Sequence, residues 1–213
     1  MNAFRFTTKL DLTYLLGLKA KNALELRALV AEVPAMSIYY HTHHYLQQHH
    51  YLSPEPPNDF AYWATNVLND DALGEQLASI DIIQYASIEE VRARIMEILD
   101  RHNATAERAA EAPRGEEFHF MACQTFAFPT PYSASSLKEF RENLERVSIN
   151  SLYYHMFDAR LRLQAGINDF SVWFKDNGSP ALAEAVGALD PYTYTLEGLR
   201  RKIIRLVEIH DTH

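Results

Sequence analysis

The chain has 213 residues, 47% of them hydrophobic and 12% aromatic, enough to bury a core as one domain or as two small ones. Its formal net charge of −8 argues against nucleic acid, whose phosphates need clustered Lys and Arg. One cysteine, Cys123, allows no intrachain disulfide and no Cys-rich zinc site, so a reducing, cytoplasmic setting is expected.

No stretch reaches the roughly 18 apolar residues of a membrane span. Met1 to Phe6 lacks a charged start followed by an apolar signal core, so no secretion signal is expected. The 7 glycines make neither G-x-G-x-x-G nor G-x-x-x-x-G-K-[ST], and G-x-S-x-G and H-E-x-x-H are absent as well.

Phe4 and Phe6 alternate with polar neighbours and predict a short strand-like start. Asn22, with Glu25 three positions on, predicts a helix N-terminus, and Ala23, Leu26, Val30 and Val33 give that helix one apolar stripe. A second helix is expected from Ser37, carrying Tyr39-Tyr40-His41, and the stretch Leu52-Ser53-Pro54-Glu55-Pro56-Pro57 must break it. A third opens at Asn58, with Phe60, Trp63 and Val67 facing inward. A short helical piece follows at 72–79, and a last helix begins at Ser87 with Ile88, Val91, Ile95, Ile98 and Leu99 on one face.

This order then returns. Phe118-His119-Phe120 repeats the start, and Ser136 with Glu139 repeats the first helix cap. Ser151-Leu152-Tyr153-Tyr154-His155 matches Ser37 to His41, Asn168-Asp169-Phe170 with Trp173 matches Asn58 to Trp63, and Thr195 to Arg200 matches Ser87 to Arg92. The expected fold is mainly α: an internally duplicated helical bundle of about four helices per repeat, with short strand-like segments at the start of each. The first repeat is placed at 1–101, a linker at 102–117 and the second repeat at 118–213, with the two expected to join as one pseudo-symmetric unit.

Half of the 10 histidines fall in one segment: His41, His43, His44, His49 and His50. In the second copy His43 becomes Phe157, His44 becomes Asp158, and His49 and His50 become Leu163 and Gln164, so His41 alone returns, as His155. The paired histidines fit buried, hydrogen-bonded core groups, ligands of a transition metal, or general acid–base residues. His41, His44, His155 and Asp158 are the metal-ligand candidates. The one Glu-x-x-His, Glu116 to His119, falls at the strand-like start of the second repeat and not on a predicted helix, which weakens a bundle metal site.

Asn-Asp-Phe-x-x-Trp reads as a cap, a first-turn acid and two core aromatics, or else makes Asp59 and Asp169 acid–base or metal groups. His155 starts its helix and Asp169 follows its end, about ten residues away at about 1.5 Å each, so the pair is not expected to meet within one copy. Across a pseudo-dyad, one copy's His would approach the other copy's Asp. Arg160 and Arg162, at the positions of Leu46 and Gln48, suit a carboxylate or phosphate ligand or a solvated face. The ligand-binding candidates are Tyr40, His41, Asp59 and Trp63, and Tyr154, His155, Asp169 and Trp173.

The phrases Tyr39-Tyr40-His41-Thr42-His43-His44, Leu52-Ser53-Pro54-Glu55-Pro56-Pro57 and Asn58-Asp59-Phe60-Ala61-Tyr62-Trp63, with Asp81-Ile82 and the last helix, resemble an uncharacterised prokaryotic family, that of domain of unknown function 5752. The resemblance implies no activity, ligand or catalytic residue. The residues favour a binding module for a small molecule or a protein partner, with a pseudo-two-fold groove lined by Tyr and His. A metal-dependent enzyme with a His/Asp site and a structural or oligomeric scaffold are the alternatives. Neither nucleic acid nor membrane is an expected partner, and a homo-oligomer stays open.

Overall fold

The structure is a computed structural model that describes residues 3–44, 47, 57–105, 110–163, 166–189 and 193–211. Two strands, β1 (Phe4–Ala20) and β2 (Phe118–Ala134), of 17 residues each, pair as an antiparallel ribbon. Between them lie α1 (Ala23–Glu32), α2 (Ala35–Tyr39), α3 (Asp59–Asn66), α4 (Asp71–Ala78) and α5 (Ile88–Thr105). After β2 come α6 (Leu137–Leu144), α7 (Ile149–Tyr153), α8 (Ala159–Leu163), α9 (Asp169–Asp176), α10 (Pro180–Gly187) and α11 (Leu196–Asp211). Helices α2 and α7 each run into a π-helical turn, Tyr40–His44 and Tyr154–Asp158.

The expectation of a duplicated, mainly α bundle with short strand-like starts is therefore corrected to a mixed α/β architecture. The strands are long because the ribbon needs no buried face along its middle: between Lys9 and Ala20 every residue of β1 is exposed or half-buried. Leu15-Leu16 breaks the alternation begun by Leu10, Leu12 and Tyr14, and Gly17 takes φ +74°, a left-handed conformation that suits glycine. In β2, Pro129 and Pro131 imitate a coil, but in a two-stranded ribbon each strand has a free edge where proline is tolerated.

The chain divides into two compact units. Among the described residues, unit 1 holds 3–10 and those from Thr125 onward, and unit 2 holds those from Asp11 to Gln124. In unit 1, Phe4 sits edge-on to Phe140, Phe170 and Trp173 at 5.6, 5.3 and 5.8 Å, and Phe6 lies 5.4 Å from Phe140. Such edge-to-face pairs add to the gain from burying each ring. In unit 2, Phe118 stacks on Phe60 at 5.1 Å and meets Trp63 edge-on at 5.6 Å, while the Trp63 indole donates to the Glu116 carbonyl at 2.9 Å. Each core thus joins the opening of one strand to helices from the other half of the sequence.

The caps formed as expected. Asn22 Oδ1 accepts from Glu25 N at 2.9 Å, while the Glu25 carboxylate accepts from Lys21 N at 2.9 Å. At α6, Ser136 accepts from Glu139 N at 3.2 Å and Glu139 from Ser135 N at 2.7 Å. The matched arginines have one role. Arg92 donates to the Val30 carbonyl near the end of α1, and Arg200 to the carbonyls of Leu144, Glu145 and Val147 at 3.0, 3.3 and 2.8 Å. Both satisfy orphan carbonyls at a helix end. Helices α3 and α4 cross closely because residue 74 is glycine; a Cβ there would stand 1.9 Å from Thr65 Oγ1.

Candidate functional site

The π turns place His41 and His155 in the interior. Each imidazole is more than nine-tenths buried and uses both nitrogens. In unit 2, His41 Nδ1 lies 2.6 Å from Asp59 Oδ2, and Nε2 accepts from the Met121 backbone N–H at 2.9 Å. In unit 1, His155 Nδ1 lies 2.7 Å from Asp169 Oδ2, and Nε2 accepts from Thr7 N–H at 2.8 Å. A nitrogen that accepts from an amide carries no proton. Each ring is therefore the neutral tautomer with its proton on Nδ1, donated to the carboxylate. Burial holds His155 below its ordinary range against the pull of Asp169, and the Arg162 charge adds to that lowering.

Each His–Asp pair is formed within one sequence copy, contrary to the expectation of an exchange across a dyad. Straight-helix arithmetic placed the groups about 15 Å apart, but the helix carries a π turn at His155, and the two groups stand 2.7 Å apart. It is the strand, not the acid, that comes from the other copy.

The surroundings differ between the units. In unit 1, Arg162 reaches Asp169 at 2.6 Å and lies over the Tyr154 ring, 4.6 Å from its centroid. Burial opposes the charge on Asp169, but the hydrogen bonds from His155 and Arg162 outweigh it and hold the carboxyl below its usual range. In unit 2, burial first, and then the charges of Asp59 and Cys123, push the Tyr40 hydroxyl up. His44 lies against Tyr40 with ring centroids 5.1 Å apart, and its Nδ1 is 3.3 Å from Asp11. Trp63 and Trp173 are core residues, whereas Tyr40 and Tyr154 are half-buried.

The four metal-ligand candidates are thus distributed with His41 and His44 in unit 2 and His155 and Asp158 in unit 1. Asp158 faces Lys9, with Nζ to Oδ2 at 2.8 Å, and the fully buried Lys9 ammonium also lies 4.7 Å from the Tyr153 ring centroid. Among the described residues, no three of His, Cys, Asp and Glu gather as a metal ion would need. His49 and His50 lie outside the described residues.

Sequence reasoning missed Lys9 and the two amides that the histidines hold. A signal for Lys9 existed: Lys9 and Asp158 depart together from their matched residues Cys123 and His44, as a charge pair does when it arises in one copy. It also missed a cleft of about 610 Å³ in unit 1, lined by Ile167 and by residues of α9 and α10 that include Ser171, Val172, Lys175, Pro180 and Glu184. The Ser171 hydroxyl is buried and has no hydrogen-bond partner among the described residues.

Fold and site define a mixed α/β protein in which a long two-stranded ribbon is held by buried His–Asp pairs. The chain belongs to a family of unknown function, DUF5752, whose model matches residues 1–208. It is similar to the solved structure of OrfY from Thermoproteus tenax, with a TM-score of 0.82 and 29% identity over 100% of this chain and 97% of that one. No curated protein matches the chain. No helix among the described residues is long and apolar enough to cross a membrane.

Proposed function

We propose that this protein is a cytoplasmic binding module for a small organic molecule. The observation that carries the reading is the cleft of unit 1. Its volume, about 610 Å³, lies in the range of ligand pockets. Its aliphatic side chains, Ile167, Val172, Pro180 and Ala183, suit an apolar body, and Lys175 and Glu184 supply charges to orient a polar end. Among the described residues, the buried Ser171 hydroxyl in the lining lacks the partner that such groups normally have. The shared histidines fit this reading, since each Nε2 is turned to a backbone amide that does not give up its proton. Tyr40 with Asp59 is proposed as a further contact point, whereas Arg162 already engages Tyr154 and Asp169.

A thermal-shift screen of metabolites tests the reading, with hits confirmed by calorimetry on wild type and on Val172→Trp. Val172 is half-buried, so a larger ring there fills the cleft without emptying the core. Stabilising ligands that lose binding in Val172→Trp support the proposal. A blank screen, or hits indifferent to the substitution, would refute it.

A further inference from the structure

Beyond the cleft, we infer that Tyr40 and Asp59 of unit 2 form a binding site for an external guanidinium group, such as an arginine side chain. Unit 1 supplies the template. There a guanidinium of the same chain, Arg162, lies over the Tyr154 ring at 4.6 Å and pairs with Asp169 at 2.6 Å, and Asp169 in turn accepts from His155 at 2.7 Å. Unit 2 repeats three of the four partners: Tyr40, His41 and Asp59, with the His–Asp contact at 2.6 Å. The position matched to Arg162 is Gln48, which carries no charge.

The consequence is electrostatic. Asp169 has Arg162 as a counter-ion. Asp59 has His41, whose Nε2 accepts from the Met121 amide and whose ring is therefore neutral. Among the described residues no lysine or arginine pairs with Asp59, whose side chain keeps 27% of its surface exposed. The His41 bond fixes the carboxylate and leaves its remaining lone pairs for a second donor. A planar guanidinium answers both features, a forked donor for the carboxylate and a flat cation for the Tyr40 ring. An ammonium answers only the charge. His44, which rests against Tyr40, stands where unit 1 has Asp158, so the aromatic wall of unit 2 is the more extensive.

The test uses Nα-acetyl-arginine amide titrated into the full-length protein and followed by NMR of the Tyr40 and His41 ring signals. Nα-acetyl-lysine amide and the uncharged citrulline analogue serve as controls. The expected result is saturable, low-millimolar binding at one site, weakened about tenfold or more in Asp59→Asn, which still accepts from His41. Arg162→Gln removes the internal guanidinium and is expected to create a second site, seen at Tyr154 and His155, so that stoichiometry rises from one to two. An arginine peptide that binds more tightly than free arginine assigns the site to a polypeptide partner, and the reverse assigns it to a metabolite; both support the inference. No binding to wild type, equal binding of citrulline, or an unchanged affinity in Asp59→Asn would overturn it. Since the cleft plays no part, Val172→Trp leaves this binding intact.

Discussion

Replacing His155 by Phe isolates the work done by its two nitrogens. The ring volume is kept among Phe4, Phe6 and Phe170, whose centroids lie 4.9, 6.2 and 5.5 Å away. The substitution removes the bond to Asp169, a charge-assisted contact worth about 1.5–3 kcal/mol, and strands the Thr7 amide, at about 1 kcal/mol or more. Asp169 keeps Arg162, which limits the loss. The expected destabilisation is about 3 kcal/mol, or about 6–12 °C in Tm for a chain of this size. Urea unfolding near neutral pH measures it. The same variant carries a pH signature. His155 is held below its ordinary value in the fold, so the unfolded chain binds the proton more readily. Its contribution is therefore complete above the unfolded value of about 6.5 and is lost as pH falls below it. The gap between wild type and His155→Phe is expected to narrow between about pH 7.5 and about pH 5.5. A loss under about 1 kcal/mol, or a gap that widens on acidification, would refute the neutral, doubly bonded imidazole.

Three further outcomes follow from the packing. Lys9→Met leaves Asp158 without its buried counter-ion and is expected to cost about 3 kcal/mol by urea titration, while Lys9→Met with Asp158→Leu returns to within about 1 kcal/mol of wild type. Equal losses in the single and double variants would show that the pair itself is not the issue. Arg200→Met unsatisfies three carbonyls at the end of α6 and is expected to cost about 2 kcal/mol, with faster amide exchange at that end; unchanged exchange there would count against the cap. Trp63→Phe keeps an aromatic ring but loses the bond to the Glu116 carbonyl, for an expected loss of about 1 kcal/mol or more, and a neutral result would mean that solvent replaces it.

Much of the helical detail was legible because its signals are local. Asn22 with Glu25 and Ser136 with Glu139 announce helix starts through bonds spanning only three or four residues. Asn58 and Asn168 cap α3 and α9 in the same way. The ribbon was not legible, since its middle buries neither face and so writes no clear alternation into the sequence. The site was half legible. Matched positions named His41, His155, Asp59 and Asp169, but each histidine sits in a π turn that straight-helix arithmetic does not contain. The strand amides facing the histidines are backbone groups, to which side-chain identity gives no clue.

The matched residues invite a functional reading because chemistry-bearing groups recur, yet geometry turns them to another use. His41 and His155 each hold a strand amide and a carboxylate, and the aromatic residues around them fill the two cores. Neither stretch of helices has a complete core of its own: Phe60 and Trp63 need Phe118, and Phe140 and Phe170 need Phe4. A substitution at these positions is therefore felt as lost stability before it is felt as lost recognition. Distinct function belongs where the matched positions part company. Arg162 neutralises Asp169 from within the chain, while Asp59 faces solvent with a neutral histidine as its partner. Among the described residues the same scaffold thus carries one carboxylate paired with an arginine and one paired with histidine alone, and the second is the one proposed for a ligand.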